Sequence, residues 1–144
     1  MAITLSIKHF STLTPEEFYD IAQVREKVFL LEQNIVCQDF DGVDKDAVHI
    51  TLKEDGRILA YLRLFNDGRD TIIGRVLTTE RGRGFGLRIM SAAEQAAREY
   101  YPSHRIILHS QTHAVPFYEK CGYVVISKEF LDEGVPHKMM AKNL

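Results

Sequence analysis

The chain has no tryptophan, only two cysteines and four prolines, and almost no excess of either charge across its 144 residues. Each shortage closes off a class of protein. Cys37 and Cys121 are too far apart for a CxxC redox pair and too few for a zinc cluster. So little cysteine fits a reducing compartment. A formal net charge of −2 lacks the broad basic footprint that nucleic acid or an anionic membrane requires. No apolar run approaches the roughly 20 residues of a membrane-spanning helix. The N-terminus lacks the basic-then-apolar order of a secretory leader. The expectation is a cytoplasmic protein that binds neither nucleic acid nor membrane and holds no metal. What is present is ordinary for a globule: 45% hydrophobic and 26% charged residues. The length suits one domain, 1–144, with a real core.

The hydrophobic pattern orders the elements. ITLSIKHF (3–10) alternates as a half-buried strand does. TPEE then signals a helix start, with Thr14 as cap, Pro15 at the first helical position and Glu17 completing a capping box. Phe18, Ile21, Ala22, Val28 and Phe29 form its apolar stripe, with Arg25 and Glu32 on or beside it. Charges on such a face read either as a buried ion pair or as the lining of a substrate site. DFDGVDKD (39–46) reads as a solvated acidic loop or as a lip that attracts a cationic amine. AVHITLKE, RILAYLRLFN and TIIGRVLTT are strand-like and separated by Asp-Gly turns, which predicts an antiparallel meander. Ile89, Met90, Ala93, Ala97 and Tyr100 mark the buried face of a second helix. RIILHS is a strand, VPFYEKCG a short helix ended by Gly122, and YVVISKEF and PHKMMAK two closing strands. The order β-α-β-β-β-α-β-α-β-β predicts an α/β (α+β mixed-sheet) fold.

Between the meander and the second helix stands TTERGRGFGLRIM (78–90). Glycines there let backbone N–H groups turn toward a ligand, and the helix N-terminus adds partial positive charge. Arg81, Arg83 and Arg88 add forked cationic donors. The stretch is neither a P-loop, which ends Gly-Lys-Ser/Thr, nor a GxGxxG fingerprint, because position 87 is Leu.

Arg81-Gly82-Arg83-Gly84-Phe85-Gly86 resembles the [Gln/Arg]-x-x-Gly-x-[Gly/Ala] pyrophosphate loop of the GNAT superfamily of N-acetyltransferases. QTHAVPFYEKCGY resembles that superfamily's second signature, with Gln111, Ala114, Tyr118, Gly122 and Tyr123 at its fixed positions. VREKVFLLEQN and LDEGVPHKMM look like the ElaA-like branch. The resemblance implies a sheet splayed after its fourth strand, with acetyl-CoA as co-substrate in the opening. Val76, Leu77 and Thr78 would then meet the pantetheine arm. Residues Arg81, Gly82, Arg83, Gly84, Phe85, Gly86 and Leu87 would hold the pyrophosphate, with Gln111, Phe117 and Tyr118 nearby. Gln111 stands where many members have Asn.

An acyl thioester is already activated, so positioning and proton handling remain. Tyr118 holds the position that the resemblance gives to the acid protonating the leaving thiolate; the plainer reading is a packed aromatic. Base candidates are Glu32 and His137, with His49 and His109 beside them. Arg25, Glu32, His49 and His109 are the expected acceptor-side residues. Cys121 also admits an acetyl-cysteine route, although a cysteine beside a helix-ending glycine is more often a small buried hydrophobe. The acceptor would be a small-molecule amine or a protein lysine, and a homodimer is a further expectation of the resemblance. REKVF also resembles a helix of the acyl-homoserine-lactone synthases, and a CoA-binding module without turnover is the non-enzymatic alternative.

Overall fold

A computed structural model describes residues 2–102 and 104–144. Strand β1 (Ile3–His9) leads into α1 (Pro15–Arg25), then β2 (Val48–Glu54), β3 (Arg57–Asn66) and β4 (Thr71–Thr78). Helix α2 (Phe85–Tyr100), β5 (Arg105–Gln111), α3 (Val115–Lys120), β6 (Val124–Val125), β7 (Phe130–Asp132) and β8 (Val135–Asn143) follow. One mixed sheet runs in the order β1-β2-β3-β4-β5-β8-β6, with β7 paired to β8. β1 to β4 are antiparallel neighbours, as the Asp-Gly turns predict, and β4 pairs with β5 in parallel.

Both faces of the sheet are covered, which explains why β3 is buried from Ile58 to Leu64 and apolar along that stretch but for Arg63. On one face α2 buries Ile89, Met90, Ala93 and Ala97 against Leu59, Leu62 and Leu64. On the other, Ile21 of α1 and Val28 meet Ile58, Tyr61 and Leu77. Each large side chain buried this way contributes about 1.5–3 kcal/mol.

Thr14 and Glu17 form the expected reciprocal capping box, at 3.1 and 2.9 Å. Two expectations need correction. The first helix does not keep its pitch: after Arg25 it widens into a π-helical stretch, Glu26–Glu32, with Gln33 N–H bonding Val28 C=O at 3.0 Å. Each residue of a π-turn advances less than the ~100° of an α-helix, so seven residues no longer return to the same face. Arg25 is fully buried while Glu32 is exposed. The strand expected over 123–130 is also broken. The Ser127 hydroxyl accepts the Met139 N–H at 2.8 Å, interrupting the ladder between the two-residue β6 and the separate β7–β8 hairpin.

Candidate active site

β4 and β5 stay paired only from Thr71/Ile106 to Ile73/Leu108, then part. The gap is a cleft of about 410 Å³. Gly74, Arg75 and Val76 line it from β4, and Leu108, His109 and Gln111 from β5. Tyr118 comes from α3, His137 from β8, and Phe29, Gln33, Ile35, Cys37 and Asp39 from the π-helical stretch and the segment after it. Gln111 Nε2 donates to Gln33 Oε1 at 2.9 Å, tying β5 to that segment.

β4 is bulged where it enters the cleft. Tyr61 pairs with Leu77 and Arg63 with Gly74, so Arg75 and Val76 together oppose Leu62. Arg75 has φ of 56°, a left-handed conformation usually left to glycine and costing on the order of 1–3 kcal/mol. Its guanidinium is held by Asp39: Nε donates to Oδ1 at 2.6 Å and Nη2 to the main-chain oxygen at 2.9 Å.

That contact belongs to a larger ion-pair network. Arg25 donates to Asp39 Oδ2 at 3.0 Å and to Asp44 Oδ1 at 2.7 Å. Arg63 donates to the same Asp44 oxygen at 3.0 Å and to both oxygens of Asp41 at 2.9 and 2.8 Å. Hydrogen bonds from Arg63 hold the Asp41 carboxyl down at about 2. The acidic 39–46 segment keeps Lys45 and Asp46 exposed, but it is more than a solvated loop or an open lip: Asp39, Asp41 and Asp44 face arginines. Arg63 and Arg75 carry no functional mark in the sequence because each lies inside a strand pattern. The available signal was two arginines set among apolar strand residues and a short run of aspartates able to meet them.

Tyr118 is nine-tenths buried, with Phe117 and Tyr123 edge-on to its ring. The residue lines the cleft, and beside it the Tyr123 hydroxyl is buried with no hydrogen-bond partner among the described residues. Burial pushes the Tyr118 phenol above its usual range, so it remains a proton donor at neutral pH.

At the mouth of α2, Gly82 and Gly84 have φ of 76° and 77°. Gly84 is the N-cap and offers no side chain to the first-turn amides, which leaves them for a ligand. Gly86 serves packing as well: a Cβ there would stand 2.9 Å from Phe117 Cζ, so α3 approaches α2 only because the residue is glycine. Phe85 is a core side chain, so only its backbone faces the loop. Arg83 is engaged by Glu80 at 2.6 Å and Glu54 at 3.6 Å and lies over the Phe85 ring. Arg81 and Arg88 are exposed and have no ion pair among the described residues.

The cleft thus gathers Val76, Gln111, Tyr118, His109 and His137. Leu77 turns its side chain into the α1 core, and Thr78 is half-buried. Three expected acceptor-side residues do not line it. Glu32 has rotated away with the π-turn. Arg25 is locked into the ion network. His49 is buried on the far side of that network, with Nε2 against Asp44 C=O at 2.9 Å and Nδ1 against Tyr61 OH at 2.8 Å. A carbonyl only accepts, so Nε2 carries the hydrogen and Nδ1 accepts from the tyrosine. The structure adds His113 to the cleft, with Asp132 and Glu133 from the β7–β8 hairpin. Among the described residues no cluster of His, Cys, Asp and Glu fit for a metal is present. Among the described residues no helix is long and apolar enough to cross a membrane.

The fold is similar to that of an acyl-CoA N-acyltransferase from Pseudomonas aeruginosa. That structure superposes with a TM-score of 0.91 at 33% identity, covering 98% of this chain and 99% of that one. A UPF0039 protein of Schizosaccharomyces pombe is 34% identical over 95% of both chains, and protein ElaA of Escherichia coli 32% identical over 94% of both. The acetyltransferase (GNAT) domain family matches residues 11–144, and the chain belongs to that family.

Proposed function

We propose that the protein moves an acetyl group from acetyl-CoA to a primary amine by direct attack within a ternary complex. The observation that carries this is Tyr118: a phenol whose ring is buried in the core while the residue lines the gap where β4 and β5 part. The residues present fit the co-substrate. First-turn amides of α2 and the Gly82–Gly84 loop, with Arg81 and Arg88, suit a pyrophosphate. The β5-side edge of β4 beyond Ile73, which β5 no longer pairs, offers backbone hydrogen bonds to an extended arm. Acetyl-CoA supplies an activated acyl group and a thiolate leaving group.

The chain does the rest. Backbone N–H groups at the β4 bulge would supply the donors for the charge that develops on the carbonyl oxygen. Tyr118 donates its proton to the departing sulfur. His137, whose Nδ1 lies 2.7 Å from Val135 C=O, and His109 are placed to take a proton from the amine. Cys121 does not line the cleft and burial raises its thiol, which favours direct attack over an acetyl-cysteine route. Asp132 and Glu133 at the rim favour a cationic amine, whether a small molecule or a protein lysine, and a cytoplasmic location would supply the co-substrate.

The test is free-thiol release from acetyl-CoA across a panel of primary amines, with Tyr118→Phe alongside. Turnover should fall about 10²–10³-fold in the variant, in kcat and kcat/KM alike, while acetyl-CoA affinity holds. A wild-type protein that binds acetyl-CoA yet acylates no amine would be a binding module. A variant keeping more than about half of kcat would make the ring only a wall of the cleft.

A further inference from the structure

We propose that Asp39 is a positioning residue: from the segment on the acceptor side of the cleft, it fixes the bulge of β4 through Arg75. The inference rests on the acyl-transfer reading for its kinetic consequence but not for its structural one.

Among the described residues, Asn34, Asp55, Arg75 and Glu133 are the non-glycines with positive φ. Asn34, Asp55 and Glu133 stand in turns or loops, whereas Arg75 lies inside a strand. A bulge residue in this conformation is ordinarily glycine, which carries no steric penalty there. A bulky side chain persists in it only where its surroundings over-determine it. Here the surroundings are Asp39. Its Oδ1 and main-chain oxygen accept from Arg75 at 2.6 and 2.9 Å. Its Oδ2 and the same main-chain oxygen accept from Arg25, each at 3.0 Å. All three oxygens of Asp39 are thus taken by two arginines, one of them fully buried at the end of α1. Asp41 reaches Arg75 only at 3.5 Å and is committed to Arg63.

A chain of contacts therefore runs from α1 through Arg25 and Asp39 to the one part of β4 whose backbone is free of β3. Gly74, Arg75, Val76 and Asp39 all line the cleft. A backbone donor misplaced by about 1 Å costs up to roughly 10²-fold in rate, so a clamp on the bulge is a clamp on the donor. An exposed Asp–Arg pair does little of itself. This one matters because it decides a backbone conformation.

The test uses the full chain with Asp39→Asn, Arg75→Gly and both together. Glycine accepts the φ of residue 75 without strain, so Arg75→Gly removes the clamp while keeping a foldable bulge even if Asp39→Asn folds poorly. Each single change should lower kcat about tenfold or more while the acetyl-CoA dissociation constant stays within about twofold. The double variant should be no slower than the slower single, because both remove one contact. In the ligand-free protein, amide hydrogen exchange at residues 74–77 should quicken in both singles. That measurement stands even if no amine is acylated. Unchanged exchange, losses that multiply in the double variant, or affinity falling as far as kcat would each overturn the proposal.

Discussion

Asp44→Ala strikes the ion network at its hub. One oxygen of Asp44 accepts from both Arg25 and Arg63, and its main-chain oxygen accepts from His49. Both guanidinia are buried, at 0% and 4% exposure, so neither reaches water when the carboxylate goes. Arg25 keeps Asp39 and Arg63 keeps Asp41, so neither charge is orphaned, but two like charges then face a shared void. Breaking a buried pair costs about 3–5 kcal/mol when it leaves a bare charge, so with Asp39 and Asp41 still in place the loss should lie at the low end, about 3 kcal/mol of the 5–15 kcal/mol that stabilises a typical domain. At roughly 2–4 °C per kcal/mol for a chain near this size, the melting temperature should drop on the order of 10 °C. Urea unfolding with fluorescence and circular dichroism should show the midpoint moving at constant slope. Asp44→Asn, which keeps the shape and one acceptor, should lose less. The wild-type pairs are buried, so raising salt to about 0.5 M should leave them largely unscreened. A melting temperature for Asp44→Ala within about 2 °C of wild type would refute the reasoning, since the guanidinia would then have found water.

Two further outcomes follow from particular residues. Burial depresses the pKa of His49, so the unfolded chain takes up that proton near pH 6.5 before the folded one does. Stability from His49 is then fully present above about pH 6.5 and is lost as pH falls below it, by at most about 1.4 kcal/mol per pH unit. Unfolding curves at pH 7.5 and 5.5 should show a smaller drop in His49→Gln than in wild type, and an equal drop would count against the buried neutral imidazole. At the α2 mouth, Gly84→Asp places a carboxylate at the helix N-terminus and should weaken acetyl-CoA binding at least about tenfold, or 1.4 kcal/mol. Gly84→Asn, neutral and tolerant of φ 77°, should lose far less; equal affinities for Asp and Asn by calorimetry would remove the charge argument.

The elements most legible in the sequence are those whose signals are local. The capping box at Thr14 and Glu17, the Asp-Gly turns of the meander and the glycine loop before α2 each depend on a few neighbouring residues. Features set by distant partners were not legible. Nothing in EKVFLLE marks a change of helical pitch, so Glu32 was placed on a face it does not share with Arg25. Ser127 looks like any strand residue until its hydroxyl meets Met139. Gly86 reads as part of an anion loop, and its contact with Phe117 appears only when α3 docks on α2. Arg63 and Arg75 look like ordinary strand residues because their aspartates lie 22 and 36 positions away.

Why three arginines and three aspartates should stand beside the cleft is a question of energetics as well as position. A buried ion pair returns little net stability against an apolar packing of the same volume, because desolvation offsets most of the attraction. Leucines and phenylalanines on the same scaffold would hold the 39–46 segment to β3 about as firmly. They would not hold it in one place: apolar contacts are non-directional, whereas forked guanidinia accept only a narrow set of carboxylate positions. Asp39 shows the consequence, with two arginines fixing all its oxygens and one of those arginines fixing a strained strand residue in turn. The network is therefore better explained by geometry than by stability. The apolar faces of β3, α1 and α2 hold the chain folded, and the ion pairs set where the bulge of β4 stands relative to Tyr118 across the cleft. A core-packing change away from the bulge, such as Leu52→Ala on β2, should then lower stability chiefly, whereas a change in the network should cost stability and rate together.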